Sequence, residues 1–169
     1  MIVYGFCASF DDAALVALNL SSPTAPSLLG VLLGGSAPNY LAYPRGIVVD
    51  YPYAYVVDGA FADGFNIYDI SDPSNMVWVG GIHPGDAQDP GWDFQELYKI
   101  IKSGNTVYIT SHSYGLFVVD VTDVTAPIWT GSYTNHGGYH MALSGTTLYV
   151  SASGDGFAIL DVSNPAAIV

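Results

Sequence analysis

Four segments of the sequence share one apolar pattern that ends in Asn or Asp, and this repeat constrains the fold more than any other feature. They are Leu15-Val-Ala-Leu-Asn19, Phe65-Asn-Ile-Tyr-Asp69, Leu116-Phe-Val-Val-Asp120 and Phe157-Ala-Ile-Leu-Asp161. A Tyr-containing apolar run precedes each segment, and Ser or Thr with a nearby Pro follows it. The final residues lie 50, 51 and 41 positions apart. Such periods, with several short strands per unit, are typical of β-propeller blades.

The composition of the segments predicts strands. They are rich in Val, Ile, Tyr and Phe and are bounded by Gly, Asn, Asp and Pro, which is typical of strands. Nearly continuous apolar runs are expected where neighbours cover both faces of a sheet. Read alone, residues 11–18 favour a short helix behind an Asp pair. The fourfold register favours a strand there, because helix propensity is a weak prior beside tertiary context.

The repeat, with its upstream Tyr strand and its downstream Ser/Thr–Pro turn, resembles the LVIVD repeat, and Leu116-Phe-Val-Val-Asp120 is the segment most similar to it. The resemblance covers nearly the whole chain in four units. That family is associated with bacterial and archaeal surface proteins and with β-propeller folds. The resemblance therefore implies an extracellular or cell-surface location. It implies no common enzymatic activity and carries no catalytic residues.

The repeat predicts one all-β domain over residues 1–169, a β-propeller of about four four-stranded blades whose terminal blades are incomplete. The blade units are approximately 1–40, 41–84, 95–134 and 135–169. The predicted strands are 2–8, 14–20, 27–33, 45–50, 53–58, 64–70, 76–81, 97–102, 106–111, 115–121, 127–133, 138–143, 146–151 and 156–162. Gly64, Gly115 and Gly156 precede the motif at one offset, which predicts a turn with positive φ.

The incomplete terminal blades predict self-assembly. The first blade lacks its innermost strand, and only residues 166–169 remain for the outermost strand of the last. Unpaired strand edges recruit other chains. We therefore expect a structural subunit that forms an oligomer or filament, with Ile168 and Val169 packing into a neighbouring copy by strand addition. The alternative is a self-contained four-bladed propeller.

The charge balance excludes several partners. Three Lys and Arg residues stand against 15 Asp and Glu residues, for a formal net charge of −12. Too few cations are present to neutralise several phosphates, so no nucleic-acid partner is expected.

No apolar run approaches the 18 or so residues of a membrane helix, so no membrane insertion is expected. The high hydropathy predicts apolar surface that assembly would bury, or else follows from the buried strands of four blades.

Histidine and carboxylate side chains gather in loops at one predicted face and suggest an alternative function. The candidate metal ligands are His83, His112, His136, His140, Asp63 and Asp155. Two histidines with an Asp would suit Zn or Mn, and carboxylates with carbonyls would suit Ca. The spacing is not diagnostic, because loops collect polar residues in any case. The alternative is thus a module that binds a protein, a glycan or a divalent metal at this face, and no resident cofactor is expected.

Other residues receive structural or contact roles. Trp92 and Phe94 lie in the longest loop, where aromatic side chains can anchor a partner, although Trp92 could instead cap a blade edge. Cys7 is expected to be a buried small hydrophobe. The predicted turn caps are Asn19, Asp69, Asp120 and Asp161. Asn19 also begins an Asn-Leu-Ser glycosylation sequon, and the capping role is favoured there.

Catalysis is not expected. The sequence contains no G-x-S-x-G motif, and Ser113 is merely adjacent to His112 in the chain. Sequence adjacency is not the arrangement of a nucleophile and its base. We therefore expect a protein that is not an enzyme.

Overall fold

The computed structural model describes residues 3–35, 41–59, 64–86, 96–135, 137–152 and 156–169. Within these ranges the chain forms strands and no helix. The strands are β1 (Tyr4–Ser9), β2 (Ala14–Asn19), β3 (Ser27–Leu33), β4 (Pro44–Asp50), β5 (Tyr53–Asp58), β6 (Phe65–Asp69), β7 (Val77–Ile82), β8 (Leu97–Ser103), β9 (Thr106–Ser111), β10 (Gly115–Asp120), β11 (Ile128–Tyr133), β12 (Gly138–Ser144), β13 (Thr147–Ala152) and β14 (Gly156–Asp161).

The strands form four antiparallel sheets, each a meander of consecutive strands. Sheet 1 contains β1–β3, sheet 2 contains β4–β7, sheet 3 contains β8–β11 and sheet 4 contains β12–β14. The all-β class is therefore confirmed, and each strand begins and ends within two residues of its predicted limits. The helix considered for residues 11–18 is wrong, because residues 14–19 pair with strands on both sides.

Glycine precedes the repeat motif in three units, and the structural reason for it differs between them. Gly115 and Gly156 have φ of 99° and 86°, as predicted for a turn. Gly64 does not share this conformation, so the prediction is wrong there. A Cβ on Gly64 would lie 2.0 Å from the carbonyl oxygen of Ile82. Close packing of backbone against backbone therefore requires glycine at that position.

Sheet 2 is covered on both faces by its neighbours. On β5, Ala54 and Val56 belong to the apolar core shared with sheet 1, whereas Tyr55 and Val57 belong to the core shared with sheet 3. The alternation follows from the two-residue period of a strand. It explains why the segment reads as a continuous apolar run.

Sheet 3 repeats this arrangement. Val107 and Ile109 of β9 pack toward sheet 2, while Tyr108 packs toward sheet 4 with Leu148 and Val150. Three apolar cores therefore alternate with four sheets along the chain. Sheets 1 and 4 each have one face in these cores and one face outside them.

The first strands of the sheets lie near one another. β4 contacts β8, β8 contacts β12, and β1 contacts β4. The buried carboxylate of Asp58 fixes the chain just before β4, since it accepts hydrogen bonds from the backbone N–H groups of Ala42 at 2.7 Å and Tyr43 at 2.9 Å. This arrangement brings side chains from all four sheets into one region.

Candidate functional site

A β-bulge at the start of the first strand recurs in sheets 2, 3 and 4. The pairing register shifts between Pro44 and Gly46, between Leu97 and Lys99, and between Gly138 and His140. The residues left unpaired by these shifts are Arg45, Tyr98 and Tyr139. Bulges reorient side chains and are frequent beside functional sites.

The bulges border an open cavity of about 560 Å³ between the first strands, called here the central cavity. Its volume lies within the range of small-molecule sites. The described lining residues are Ala8 of β1, Phe10 of the turn between β1 and β2, Pro44 and Arg45 of β4, Tyr98 and Lys99 of β8, and His140 of β12.

Two aromatic rings lie beside the guanidinium group in this cavity. The Cζ atom of Arg45 lies 5.7 Å from the ring centre of Phe10 and 5.5 Å from that of Tyr98. The Tyr98 ring meets Tyr139 edge-on at 5.3 Å and His140 at 6.0 Å. Such contacts orient a cation by the electrostatics of the ring faces. This region therefore contains a cluster of cationic and aromatic side chains that contact one another.

A half-buried carboxylate on the same side of the molecule binds a serine and a histidine. Hydrogen bonds from Ser113 and His112, together with the charge of Arg45, hold the pKa of Glu96 below its ordinary value. The Ser113 hydroxyl donates to Oε2 of Glu96, and His112 Nδ1 lies 3.1 Å from the same oxygen. A catalytic triad places its serine and its acid on opposite imidazole nitrogens. Here both partners adjoin Nδ1, so the arrangement is not that of a nucleophile with its base.

The candidate metal ligands do not converge in the described part of the chain. His136, Asp63 and Asp155 lie outside the described residues. His83 bonds Asn66 and Asp86, His112 bonds Glu96, and His140 borders the central cavity. No three His, Cys, Asp or Glu side chains within the described ranges are arranged to hold an ion.

The residues at the strand ends accept hydrogen bonds from the following turn. In each unit the side-chain oxygen accepts from the backbone N–H two residues later, at 2.7–2.9 Å. The acceptors are Asn19, Asp69, Asp120 and Asp161. A second turn of this kind begins three residues further on, at Asp72, Asp123 and Asn164. Hydrogen bonds from the hydroxyl and then the backbone N–H of Ser71 and of Thr122 hold the pKa of Asp69 and of Asp120 below the ordinary value. The backbone N–H of Ser163 contributes most to the same lowering of the pKa of Asp161.

Sheet 4 has an exposed apolar face, called here the β14 face. Ile159 pairs with Tyr149, whose ring stacks on Phe157 at 6.0 Å. Phe157 is 60% exposed and Ile159 is 63% exposed. The equivalent residues of sheet 2, Tyr55, Phe65 and Ile67, are buried against sheet 3 with the same ring stacking. The β14 face is thus a packing face that no described part of the chain covers.

Sheet 1 has the complementary exposed face, called here the β3 face. The pairing register puts Cys7, Val16 and Val31 side by side, and it puts Leu18 beside Leu28. Leu28 is 61% exposed and Val31 is 46% exposed. Cys7 is exposed as well, so its expected burial is wrong. In sheets 2 and 3 the equivalent face packs against the preceding sheet.

In sheets 1, 2 and 3, a glycine on the last strand fits against a turn of the next sheet. A Cβ on Gly80 of β7 would lie 2.1 Å from the carbonyl oxygen of Val124, and Gly30 and Gly131 meet Pro73 and Pro165 in the same way. The three glycines share one offset from the strand-end anchor, a signal that sequence analysis could have used. The equivalent turn of sheet 1, at Pro23, is exposed.

The predicted partner contacts occupy different positions. Trp92 and Phe94 lie outside the described residues. Ile168 packs on the core between sheets 3 and 4. The backbone N–H of Asp161 donates to the carbonyl of Val169 at 2.7 Å. Contact of Ile168 and Val169 with another copy remains a prediction.

No helix in the described ranges is long and apolar enough to cross a membrane.

A series of antiparallel sheets that pack face to face defines a repeat protein of the all-β class. Three regions, residues 43–82, 99–135 and 139–169, match the LVIVD repeat. The chain belongs to the LVIVD repeat family. The first unit, in which Asn19 replaces the anchoring Asp, lies outside the matched regions. No curated protein matches the chain at a significant level.

Two solved structures are similar to this fold. A functionally unknown protein from Desulfotomaculum acetoxidans DSM 771 has a TM-score of 0.67 at 15% identity, over 99% of this chain and 53% of its own. The computationally designed Ika8 protein has a TM-score of 0.59 at 10% identity, over 95% of this chain and 46% of its own. This chain therefore spans about half the length of both.

Proposed function

We propose that the four sheets are blades of a β-propeller and that the protein is a non-enzymatic structural subunit that assembles with copies of itself. The neighbouring first strands and the cavity between them support the propeller arrangement. The observation that carries the assembly is the exposure of Phe157 and Ile159, whose equivalents in sheets 2 and 3 are buried.

The β14 face of one copy packs on the β3 face of another. Within the chain, sheet 2 turns its equivalent of the β14 face toward sheet 3, and sheet 3 turns its own toward sheet 4. A second copy related by a twofold axis would cover both open faces of the first, because each copy carries one of each. The exposed turn at Pro23 would lie at this contact.

The faces are suited to association by their chemistry. Apart from Cys7, the residues named on them carry aliphatic or aromatic side chains without charge. Burial of a Leu, Ile or Phe side chain contributes about 1.5–3 kcal/mol. Exposed apolar area of this kind marks an interaction surface on a folded protein. An extracellular or cell-surface location agrees with the surface proteins with which the LVIVD repeat is associated.

The single cysteine offers a direct test, because Cys7 lies on the β3 face beside Val16. We expect the rate of Cys7 reaction with a soluble disulfide reagent to fall as protein concentration rises. Ile159→Ser, on the opposite face, should restore the fast rate by weakening association about tenfold or more. Ile128→Ser is the matched control, since Ile128 is 58% exposed on β11 and outside both faces.

The outcomes separate clearly. Slow labelling in the wild type and in Ile128→Ser, with fast labelling in Ile159→Ser, supports the proposal. Thermal unfolding of both variants checks that each remains folded. Equal labelling rates in all three proteins at every concentration would overturn the proposal.

A further inference from the structure

The distribution of positive charge over the molecule is uneven. The whole sequence contains three Lys and Arg residues against 15 Asp and Glu residues. Two of the three, Arg45 and Lys99, line the central cavity, and the imidazole of His140 lines it too. The lining residues that the structure describes include no carboxylate. A strongly acidic protein therefore concentrates its cations in one concave site.

The third cation behaves differently. Lys102 forms an ion pair of 2.6 Å with Asp50. Neither Arg45 nor Lys99 has a carboxylate partner within 4.0 Å among the described residues, and the nearby Glu96 is engaged by Ser113 and His112. Among the described residues, therefore, neither cavity cation is held in a direct ion pair, and Arg45 attracts Glu96 only at longer range.

The aromatic rings beside Arg45 indicate a second chemical property of the ligand. The Cζ atom lies over the rings of Phe10 and Tyr98. Ring faces attract the charge of a guanidinium group without accepting its N–H groups in conventional hydrogen bonds. A planar carboxylate matches those N–H groups in a bidentate manner. Phe10 is 43% exposed and offers apolar surface to the rest of a ligand.

We propose that the central cavity binds a small organic acid, with its carboxylate on Arg45 and Lys99 and its apolar ring face against Phe10 and Tyr98. The two cations and two rings of this site lie outside the β3 and β14 faces, so the proposal does not rest on assembly. His140 also borders Tyr149 and Phe157 of the β14 face, so its resonances are compared at one fixed protein concentration. A cavity lined by one sign of charge raises the local concentration of the opposite ion. The same charges disfavour a divalent cation at His140.

Two organic carboxylates serve as probes, D-glucuronate with a sugar ring and benzoate with an aromatic ring. D-glucose is the neutral control, and inorganic sulfate tests whether charge alone suffices. Binding is measured by calorimetry at low ionic strength, and the imidazole resonances of His140 report where the probe binds. Arg45→Gln removes the carboxylate partner. Lys102→Gln is the matched control, because it changes the net charge equally at a position outside the cavity.

We expect at least one carboxylate to bind with a shift at His140, about tenfold or more weakly in Arg45→Gln and within about twofold of wild type in Lys102→Gln. The stronger of the two identifies the ring chemistry of the ligand. The proposal is overturned if neither carboxylate binds, if sulfate binds as tightly, or if Lys102→Gln weakens binding as much as Arg45→Gln. Unchanged thermal unfolding establishes that both variants are folded.

Discussion

His83 follows β7, is 7% exposed as a residue, and places its ring between Asn66 and Asp86. Burial lowers the pKa of His83 from its ordinary value of 6.5, against the opposing attraction of Asp86. The folded protein therefore binds this proton less readily than the unfolded chain does. The contribution of the neutral His83 side chain to the free energy of unfolding is complete above about pH 6.5 and is lost as the pH falls below that value.

The first prediction concerns this group. We expect the free energy of unfolding of the wild type to decrease between about pH 6.5 and pH 5, by less than about 1.4 kcal/mol per pH unit. His83→Gln should remove most of that slope, measured by urea denaturation across the range. An unchanged slope in the variant would assign the acid sensitivity to another group.

The second prediction concerns the anchor of the third repeat. Asp120 accepts hydrogen bonds from the backbone N–H of Thr122 at 2.7 Å and from its hydroxyl at 2.6 Å. Asp120→Ala should lower the free energy of unfolding by about 1 kcal/mol, measured by urea denaturation. Asp120→Asn retains an acceptor oxygen and should lose less. Equal losses in the two variants would contradict a capping role.

The stabilising contribution of Asp120 depends on pH, because the pKa of its carboxyl group is lowered in the folded protein. The pKa of Asp120 is held below 3.8 by Thr122. Its contribution is present above about pH 3.8 and is lost as the pH falls further, because the unfolded chain then binds the proton first. The Asp120 effect, which begins below about pH 3.8, should therefore separate from the histidine effect, which begins near pH 6.5.

At the scale of elements, the glycine on the last strand of sheets 1, 2 and 3 sets how closely each of them approaches the next sheet. A Cβ on Gly80 would lie 2.1 Å from the carbonyl oxygen of Val124 in the next sheet, and backbone cannot yield as a side chain can. Gly80→Ala should reduce the free energy of unfolding by about 1–3 kcal/mol. Gly35→Ala, with no atom of the described residues within 4 Å of the added Cβ, is the control and should be nearly neutral.

Urea denaturation of both alanine variants measures this third prediction. If Gly80→Ala unfolds at the same urea concentration as Gly35→Ala, the two sheets do not approach as closely as the structure has them.

The strands could be predicted from the repeat because the apolar motif and the turn residues that follow it recur in every unit. The repeat was most informative for β2, where local helix propensity pointed elsewhere but pairing with β1 and β3 decides the conformation. The bulges at Arg45, Tyr98 and Tyr139 could not be predicted from sequence. Each depends on the pairing of a strand with its neighbour, which side-chain patterns alone do not specify.

At the scale of the whole molecule, the central cavity lay beyond sequence analysis for a related reason. Arg45, Lys99 and His140 come from three different sheets, and their convergence depends on how the first strands lie beside one another. The histidines were expected at one common face, yet His83 and His112 have separate partners. The sequence does show that Lys and Arg residues are scarce. This scarcity gives significance to the presence of two of them in one cavity.

The fourth prediction concerns salt. Each copy carries a formal net charge of −12, so two copies repel each other. The screening length falls from about 30 Å at 0.01 M salt to about 8 Å at 0.15 M salt. Association through the apolar β3 and β14 faces should therefore strengthen as salt increases, measured by sedimentation equilibrium. Weakening with salt would indicate ion pairs between copies and contradict apolar contact.

The mass of the native particle tests self-assembly most directly. The chain has a mass of 17.9 kDa. If the β14 face of one copy packs on the β3 face of another around a twofold axis, native mass spectrometry will give a particle of twice that mass, and Ile159→Ser will shift it toward 17.9 kDa. A wild-type particle of 17.9 kDa at every protein concentration would contradict the account.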